Sequence, residues 1–461
     1  MTTEQVEQKV RETLHAVALD RVQAPGDLVE KVVRRRGRRR FSQAAGAAVA
    51  VVAISVGAVF GFGGGGTEPD GDRPVRPASS PDGWKPWQVN DPDTAGNGCL
   101  VDGDALYCQG HKNDAVKFDA RTGEQLWKRK ATGEGGVQVG RPVGVRDGVV
   151  YVYRDHSERQ ENGDQFSTTE LAALDADTGQ VMWAEKLAQS DRSEQAAMLI
   201  DGAVLANTRN FRTVEAFDPQ TGKAKWRYTW AKGTACDRAA LGGVPYLLCR
   251  QDSANPGDTE LIRLDPATGN AQKVSTISGE QGLMGTWGDS LVTVSTDAKS
   301  RKNPDDDTAV RNLTVSTITG SGEQTTHSVR LDGRQSYFGL VGDLLIAVSL
   351  KGEATAVSLP TGEVLWTSPT GIELPKDDGR TALVAPPVVS DSQGVVYVFS
   401  PTGDLVGLSK HTGERVWSDH VDIQPSKGFG FGPAPQLLRY EDVLIAHADG
   451  QLVSLLPRIG D

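Results

Sequence analysis

From Trp84 onward, short apolar runs alternate with polar breaks centred on glycine, and the same alternation returns along the chain. Its clearest instance starts with Pro387-Val388-Val389-Ser390, a Gln393-Gly394 turn and Val395-Val396-Tyr397-Val398-Phe399. A second turn at Thr402-Gly403 leads to Leu405-Val406-Gly407-Leu408, then His411-Thr412-Gly413-Glu414, and finally Val416-Trp417. Each apolar run is too short for an ordinary helix, rich in β-branched residues and closed by a turn residue. The pattern predicts four antiparallel strands, A to D. The third turn and its flanking strands recur as FDARTGEQLW (118–127), LDADTGQVMW (174–183), FDPQTGKAKW (217–226), LDPATGNAQK (264–273) and VSLPTGEVLW (357–366), with a degenerate copy at Thr319-Gly320.

Successive Thr-Gly pairs stand 56, 43, 47, 51, 42 and 51 residues apart. That period suits the four-stranded blade of a β-propeller with loops of variable length. Trp127, Trp183, Trp226, Trp366 and Trp417 each follow the threonine by five residues. A large ring at one fixed place per repeat is expected to pack between neighbouring blades. Lys273 and Gln324 hold that place in two repeats, where the wedge should be missing or replaced. Seven Thr-Gly turns give seven blades. The hairpin 436–445 with 447–454 supplies three further strands, and the lone strand 84–89 supplies a fourth. Joined, they make an eighth blade and remove the open sheet edges; the alternative is a ring of seven with the last hairpin packed aside.

The N-terminal part follows a different pattern. Phe41 to Thr67 carries no charge, and Ala44–Phe62 is nineteen residues rich in Ala, Val and Gly. As a helix it would be roughly 28 Å long, close to the thickness of a bilayer core. Arg34 to Arg40 precedes it with six arginines. The reading is a single transmembrane helix over 41–63, with residues 1–40 in the cytoplasm and everything beyond outside the cell membrane. A cleaved signal peptide would need a shorter basic region, and a lipoprotein would need a cysteine close behind the span, whereas the first is Cys99. Residues 64–83 read as a flexible linker. In the arm, Val6, Val10, Leu14 and Val17 recur at helical spacing, a stripe able to meet the inner leaflet or a cytoplasmic regulator.

Charge sharpens this division. The net −11 combines an arm with ten Lys/Arg against six Asp/Glu and a remainder at −15. An exported domain that acidic argues against nucleic acid as its partner.

The A-x-D-x-x-T-G-x-x-x-W repeat, best seen in Ala173–Trp183, resembles the pyrroloquinoline-quinone-like, or quinoprotein-type, propellers over about 84–457. The resemblance implies the fold. Function is open, since that family spans quinone-dependent dehydrogenases, envelope assembly proteins and sensor domains.

If Gly103-Asp104 and Gly242-Gly243 are two-residue hairpin loops, Cys99 falls opposite Cys108 and Cys236 opposite Cys249. Both pairs land on non-hydrogen-bonded sites, where Cα atoms are roughly 4.5 Å apart. Two cross-strand disulfides are therefore expected. Catalytic, metal and cofactor sites are not expected. The adjacent cysteines of a quinone dehydrogenase are missing, the seven histidines are scattered, and no nucleophile elbow or phosphate-binding motif occurs. What remains is a surface. The D–A segments opening the central funnel offer Arg141, Tyr337, Phe338, Phe429 and Phe431 as candidates for contact with an extracytoplasmic protein, peptide or small ligand. The leading expectation is a membrane-anchored, non-enzymatic binding scaffold in envelope processes. The alternative is a transmembrane sensor reporting to the arm, and a quinone enzyme stands third.

Overall fold

The computed structural model describes residues 75–459 apart from 92–97, 111, 132–140, 160–164, 190–196, 209–211, 253–256, 297–309, 334, 375, 378–379, 382, 424–434 and 449. The expected arm and membrane span lie outside the described residues. Of the linker, residues 75–83 are described, and they touch the ring. The Arg76 amide donates to Gln393 O at 3.1 Å, and the Ser79 amide to Asp442 Oδ2 at 2.9 Å.

Eight four-stranded antiparallel sheets follow one another as blades of a propeller. Blades 1 to 7 occupy 98–130, 144–189, 198–229, 234–277, 282–331, 335–369 and 388–420. In each of them the four strands lie side by side in chain order, A to D. A small hairpin, Lys376–Asp377 with Arg380–Thr381, stands between blades 6 and 7. Blade 8 is assembled from both ends of the ring. Gln436–Tyr440, Val443–Ala448 and Gln451–Leu455 are its strands A to C, and Gln88–Asn90 is strand D. Gln88 pairs with Val453 and Asn90 with Gln451. The ring therefore has eight blades, not seven, and no blade edge is left where the chain enters. The closing strand begins at Gln88 and not at Trp84, because Pro86 has no N–H to give to a ladder.

Strand B is buried along its whole length in blades 3, 6, 7 and 8, whereas strand D at the rim alternates towards solvent. The continuous apolar runs of strand B follow from this, since each of its faces is covered by a neighbouring blade. The apolar clusters accordingly straddle seams. One joins Leu205, Val214 and Trp226 of blade 3 to Leu247, Cys249 and Leu264 of blade 4; another joins Leu106 and Phe118 of blade 1 to Val443 and Ile445 of blade 8.

Two features stand apart from the sequence reading. Residues 154–168, outside the apolar runs of the repeat, continue the hairpin of blade 2. Its strands run Val149–Arg159 and Gln165–Asp175, paired out to Arg159 opposite Gln165. Apolar alternation stops near Tyr153, but a backbone ladder does not need it. In blade 5 the turn at Thr319 is one residue shorter than the others. Thr319 takes the position of the turn aspartate, and Gly322, not Gly320, has the positive φ of 95°.

Both disulfides are present, Cys99–Cys108 and Cys236–Cys249, each with a Cα–Cα distance of 4.0 Å. The hairpin registers are those expected, Asp102 opposite Ala105 and Leu241 opposite Val244.

Candidate functional site

The repeat motif builds the joints of the ring. In blades 1 to 4 the aspartate before the turn caps it: Asp175 Oδ1 accepts the Thr178 amide at 2.7 Å and the Thr178 hydroxyl at 2.8 Å. Asp218 and Asp265 repeat both bonds with Thr221 and Thr268. Hydrogen bonding from the threonine, first its hydroxyl and then its amide, holds the Asp175, Asp218 and Asp265 carboxyls below the usual carboxylate range. The glycine of each turn then takes a left-handed φ, +68° at Gly179 and +70° at Gly222.

That glycine also receives the indole of the preceding blade. A Cβ at Gly179 would lie 2.7 Å from the Trp127 ring, at Gly222 2.7 Å from Trp183, at Gly269 2.4 Å from Trp226 and at Gly413 2.5 Å from Trp366. Each indole N–H donates to a carbonyl of the same turn: Trp127 to Ala176, Trp183 to Pro219, Trp226 to Pro266 and Trp366 to Lys410, at 2.8–3.0 Å. Glycine and tryptophan are thus two halves of one joint that spans a seam. Trp417 is half-buried in a cluster with Leu437 and Leu444 of blade 8 and meets the Tyr397 ring edge-on at 5.8 Å.

Two kinds of joint residue escape a reading based on the Thr-Gly motif. Trp87, just before the closing strand, lies against Gly123 and donates to Ala120 O at 3.0 Å, so blade 8 wedges blade 1. No Thr-Gly precedes it, because its blade begins at the far end of the chain. On strand B, Tyr107 and Tyr151 face Trp127 and Trp183, with ring centroids 6.0 and 6.1 Å apart. Their signal was present: Tyr107, Tyr151, Tyr246 and Tyr397 each follow the A–B turn by three residues.

The seams lacking tryptophan are held otherwise. Lys273 turns to Glu260 of its own blade at 2.7 Å, and the Tyr246 hydroxyl reaches across to Gly320 O at 3.2 Å. A shallow depression lined by Leu241, Gly242, Gly288, Asp289 and Thr319–Ser321 lies at this seam. Gln324 also stays within its blade, bonding Ser316 and Thr326, and His327 fills the place under Gly362. The His327 Nε2 atom is buried there without a hydrogen-bond partner.

At the opposite end, where B–C and D–A connections gather, Arg141 stands just before strand A of blade 2 and Tyr337 on strand A of blade 6. The Arg141 stem passes Gly98, where a Cβ would be 3.2 Å away, beside Gln436, whose Oε1 accepts the Cys99 amide at 2.8 Å. A β-bulge between Gln335 and Tyr337 re-aims the tyrosine, and its ring lies over Gly339, where a Cβ would be 2.3 Å from the hydroxyl. Desolvation pulls the Arg141 guanidinium down to about 10 and pushes the Tyr337 phenol up. Phe338 packs into the seam between blades 5 and 6, among Leu345 and Val357, and so serves the core. Phe429 and Phe431 lie outside the described residues. All four cysteines are in disulfides, leaving no thiol as nucleophile or ligand.

The sequence matches the profile of the family described as outer membrane protein assembly factor BamB over residues 72–234, 111–368 and 314–461. No curated protein matches it. Among solved structures, BamB from Moraxella catarrhalis is similar at 18% identity, with 82% of this chain and 99% of that one covered and a TM-score of 0.48. The computationally designed Ika8 protein is similar at 12% identity over 79% of this chain and 96% of its own, with a TM-score of 0.50. Such identities speak to the fold alone.

Proposed function

The chain belongs to the family of the outer membrane protein assembly factor BamB, and on that premise we propose that it is a non-catalytic, protein-binding propeller acting as a scaffold in cell-envelope assembly. In this reading residues 41–63 anchor it in the cytoplasmic membrane, the arm 1–40 faces the cytoplasm and the ring stands outside. The observation that carries the reading is the asymmetry of the ring. One face is made of short C–D turns, Asp-x-x-Thr-Gly in blades 1 to 4 and Ser-x-x-Thr-Gly in blades 6 and 7, that bond within themselves and to neighbouring blades. The other presents the long hairpin of blade 2, reaching Arg159 and Gln165, with Arg141 just before strand A of blade 2 and Tyr337 on strand A of blade 6. A surface varied on one side and uniform on the other suits recognition of a partner by the varied side.

The test is in-cell crosslinking from positions around the blade 2 hairpin and the channel, followed by identification of the captured proteins. A scaffold yields an extracytoplasmic protein, and it still does so when residues 1–33 are removed. A cytoplasmic protein lost with those residues would support a sensor instead. Reduction of a dye by the full chain given pyrroloquinoline quinone and calcium would overturn the non-catalytic assignment.

A further inference from the structure

The hairpin of blade 2 outgrows its own sheet. Its strand B has eleven residues, where strand B of the other blades has five to eight. Strand A pairs with it only as far as Gly144 opposite Tyr151, and strand D leaves strand C at Thr168 opposite Gln189. At its base the buried Arg154 bonds Asp114 of blade 1 at 2.9 Å, so the hairpin starts from a fixed direction. The ladder fixes where each backbone group points. The Ala176 amide donates to Gly148 O, so even-numbered residues of strand B bond strand C; the Val143 amide donates to Tyr151 O, so odd-numbered residues point the other way. The register continues to Arg159 opposite Gln165 without a shift. On the odd edge the Tyr153 carbonyl accepts the Gln109 side chain at 2.7 Å. Beyond it, the N–H and C=O groups of Asp155, Ser157 and Arg159 meet no strand among the described residues. Neither a proline nor a bulge blunts this edge, and an unblunted edge is a template for another strand.

The sequence along that edge is its own complement. Asp155-His156-Ser157-Glu158-Arg159, set antiparallel against a second copy about a two-fold axis at Ser157, puts Asp155 opposite Arg159 and His156 opposite Glu158, each pair twice. Odd residues then stand opposite odd residues, which is the hydrogen-bonded arrangement, and about six backbone bonds result. Moving the axis by one residue sets Glu158 opposite Glu158, or His156 opposite His156, so the charges select one register. We propose that the blade 2 hairpin is a homodimerisation edge, at which two copies of this chain pair antiparallel over residues 155–159. The pairing reverses strand direction, so the funnel ends of the two rings face each other. Its extent is comparable to the closing strand Gln88–Asn90, which holds blade 8 together through three paired residues. The inference is independent of the scaffold reading and stands whether or not the ring holds another protein.

The experiment uses the full chain in detergent. Sedimentation equilibrium over about two decades of concentration is expected to show a monomer giving way to a dimer. Asp155→Arg and Arg159→Asp should each weaken that dimer about tenfold or more, since each sets like charges opposite one another twice. Mixed together, the two variants should pair with each other as well as the parent pairs with itself, because every cross-strand position is complementary again. Disulfide trapping then reads the register. All four native cysteines are in disulfides, so Ser157→Cys adds the single free thiol. It should link to its own copy under mild oxidation, with Cα atoms roughly 5.5 Å apart. Asp155→Cys and Arg159→Cys should link only when mixed, since like positions lie about 13 Å apart along the strands. A monomer at every concentration, a dimer indifferent to both charge reversals, or a Ser157→Cys dimer that stays unlinked overturns the proposal. So does equal trapping by every single cysteine, the mark of random collision. A trapped second copy without any other crosslinked protein keeps the dimer and removes the scaffold. An extracytoplasmic partner captured by a chain that stays monomeric does the reverse.

Discussion

At the seam between blades 2 and 3, Trp183 lies against Gly222 and donates to Pro219 O, while the Tyr151 hydroxyl reaches the same carbonyl at 3.3 Å. At the seam between blades 4 and 5 the corresponding lysine faces outward to Glu260, and Tyr246 reaches across to Gly320 O. The first joint combines a buried indole with two donors on one acceptor; the second has a hydroxyl at the same turn and no indole. Ring closure requires every seam to exist but not every seam to be equally strong. The repeat motif is therefore a record of where strength was placed, with blades 4 to 6 holding by other means.

Truncating a wedge should separate the two kinds of seam most sharply. Trp183→Ala is expected to cost about 3–5 kcal/mol in chemical denaturation. Lys273→Ala, at the equivalent position, should stay within about 0.5 kcal/mol. Equal losses would mean that the indoles are not what holds the seams.

A smaller effect comes from the other half of the joint. Gly202→Ala meets nothing closer than 3.8 Å and carries only the left-handed backbone cost, about 1–2 kcal/mol. Gly222→Ala should lose a further 1–3 kcal/mol or so by driving a methyl into the Trp183 ring. Tyr246→Phe should cost about 0.5–1.5 kcal/mol and speed amide exchange in the flanking strands of blades 4 and 5. Tyr151→Phe should cost less, because Trp183 continues to donate to Pro219.

The smallest effect is one of pH. Asp175, Asp218 and Asp265 have carboxyls held below their ordinary range by threonine hydrogen bonds. The stability they contribute is complete above the unfolded value near 3.9, and is lost as pH falls through their lower folded values. Thr319 replaces the aspartate in blade 5, so that turn has no such term. Titration of the turn amides by NMR below pH 4 should move signals in blades 2 to 4 and leave those of Gly320 and Ser321 still.

These contrasts also mark what could be read from residues alone. The strand order, the disulfide registers and the wedges at Trp127 to Trp366 follow from local repetition, because each feature lies within one blade or its immediate neighbour. Trp87 does not, since the rest of its own blade, including Ser454 whose Oγ accepts its amide, comes from 367 residues away. The blade 2 hairpin was hidden by polar sequence that nevertheless pairs. The shorter turn at Thr319 was misplaced by two residues because its Thr-Gly is accidental: the turn glycine is Gly322 and not Gly320. Arg141 and Tyr337 stood out as residues of funnel segments, but Arg141 lies beside Gly98 of blade 1 and Gln436 of blade 8, neighbours that no single repeat encodes.

The closing strand bears on how such a chain is made. Trp87 leaves the ribosome before any of blades 1 to 7, yet the backbone amide of Ser454 that donates to its carbonyl at 2.9 Å is made after all of them. Throughout synthesis the growing array of blades therefore has two unfinished edges, and the final blade completes both in one step. A message cut short before codon 451 would deliver most of the blades and no ring. Such a product is open-edged and prone to pair with another copy of itself. Quality control of the ring is in effect a check on the codons for its eighth blade.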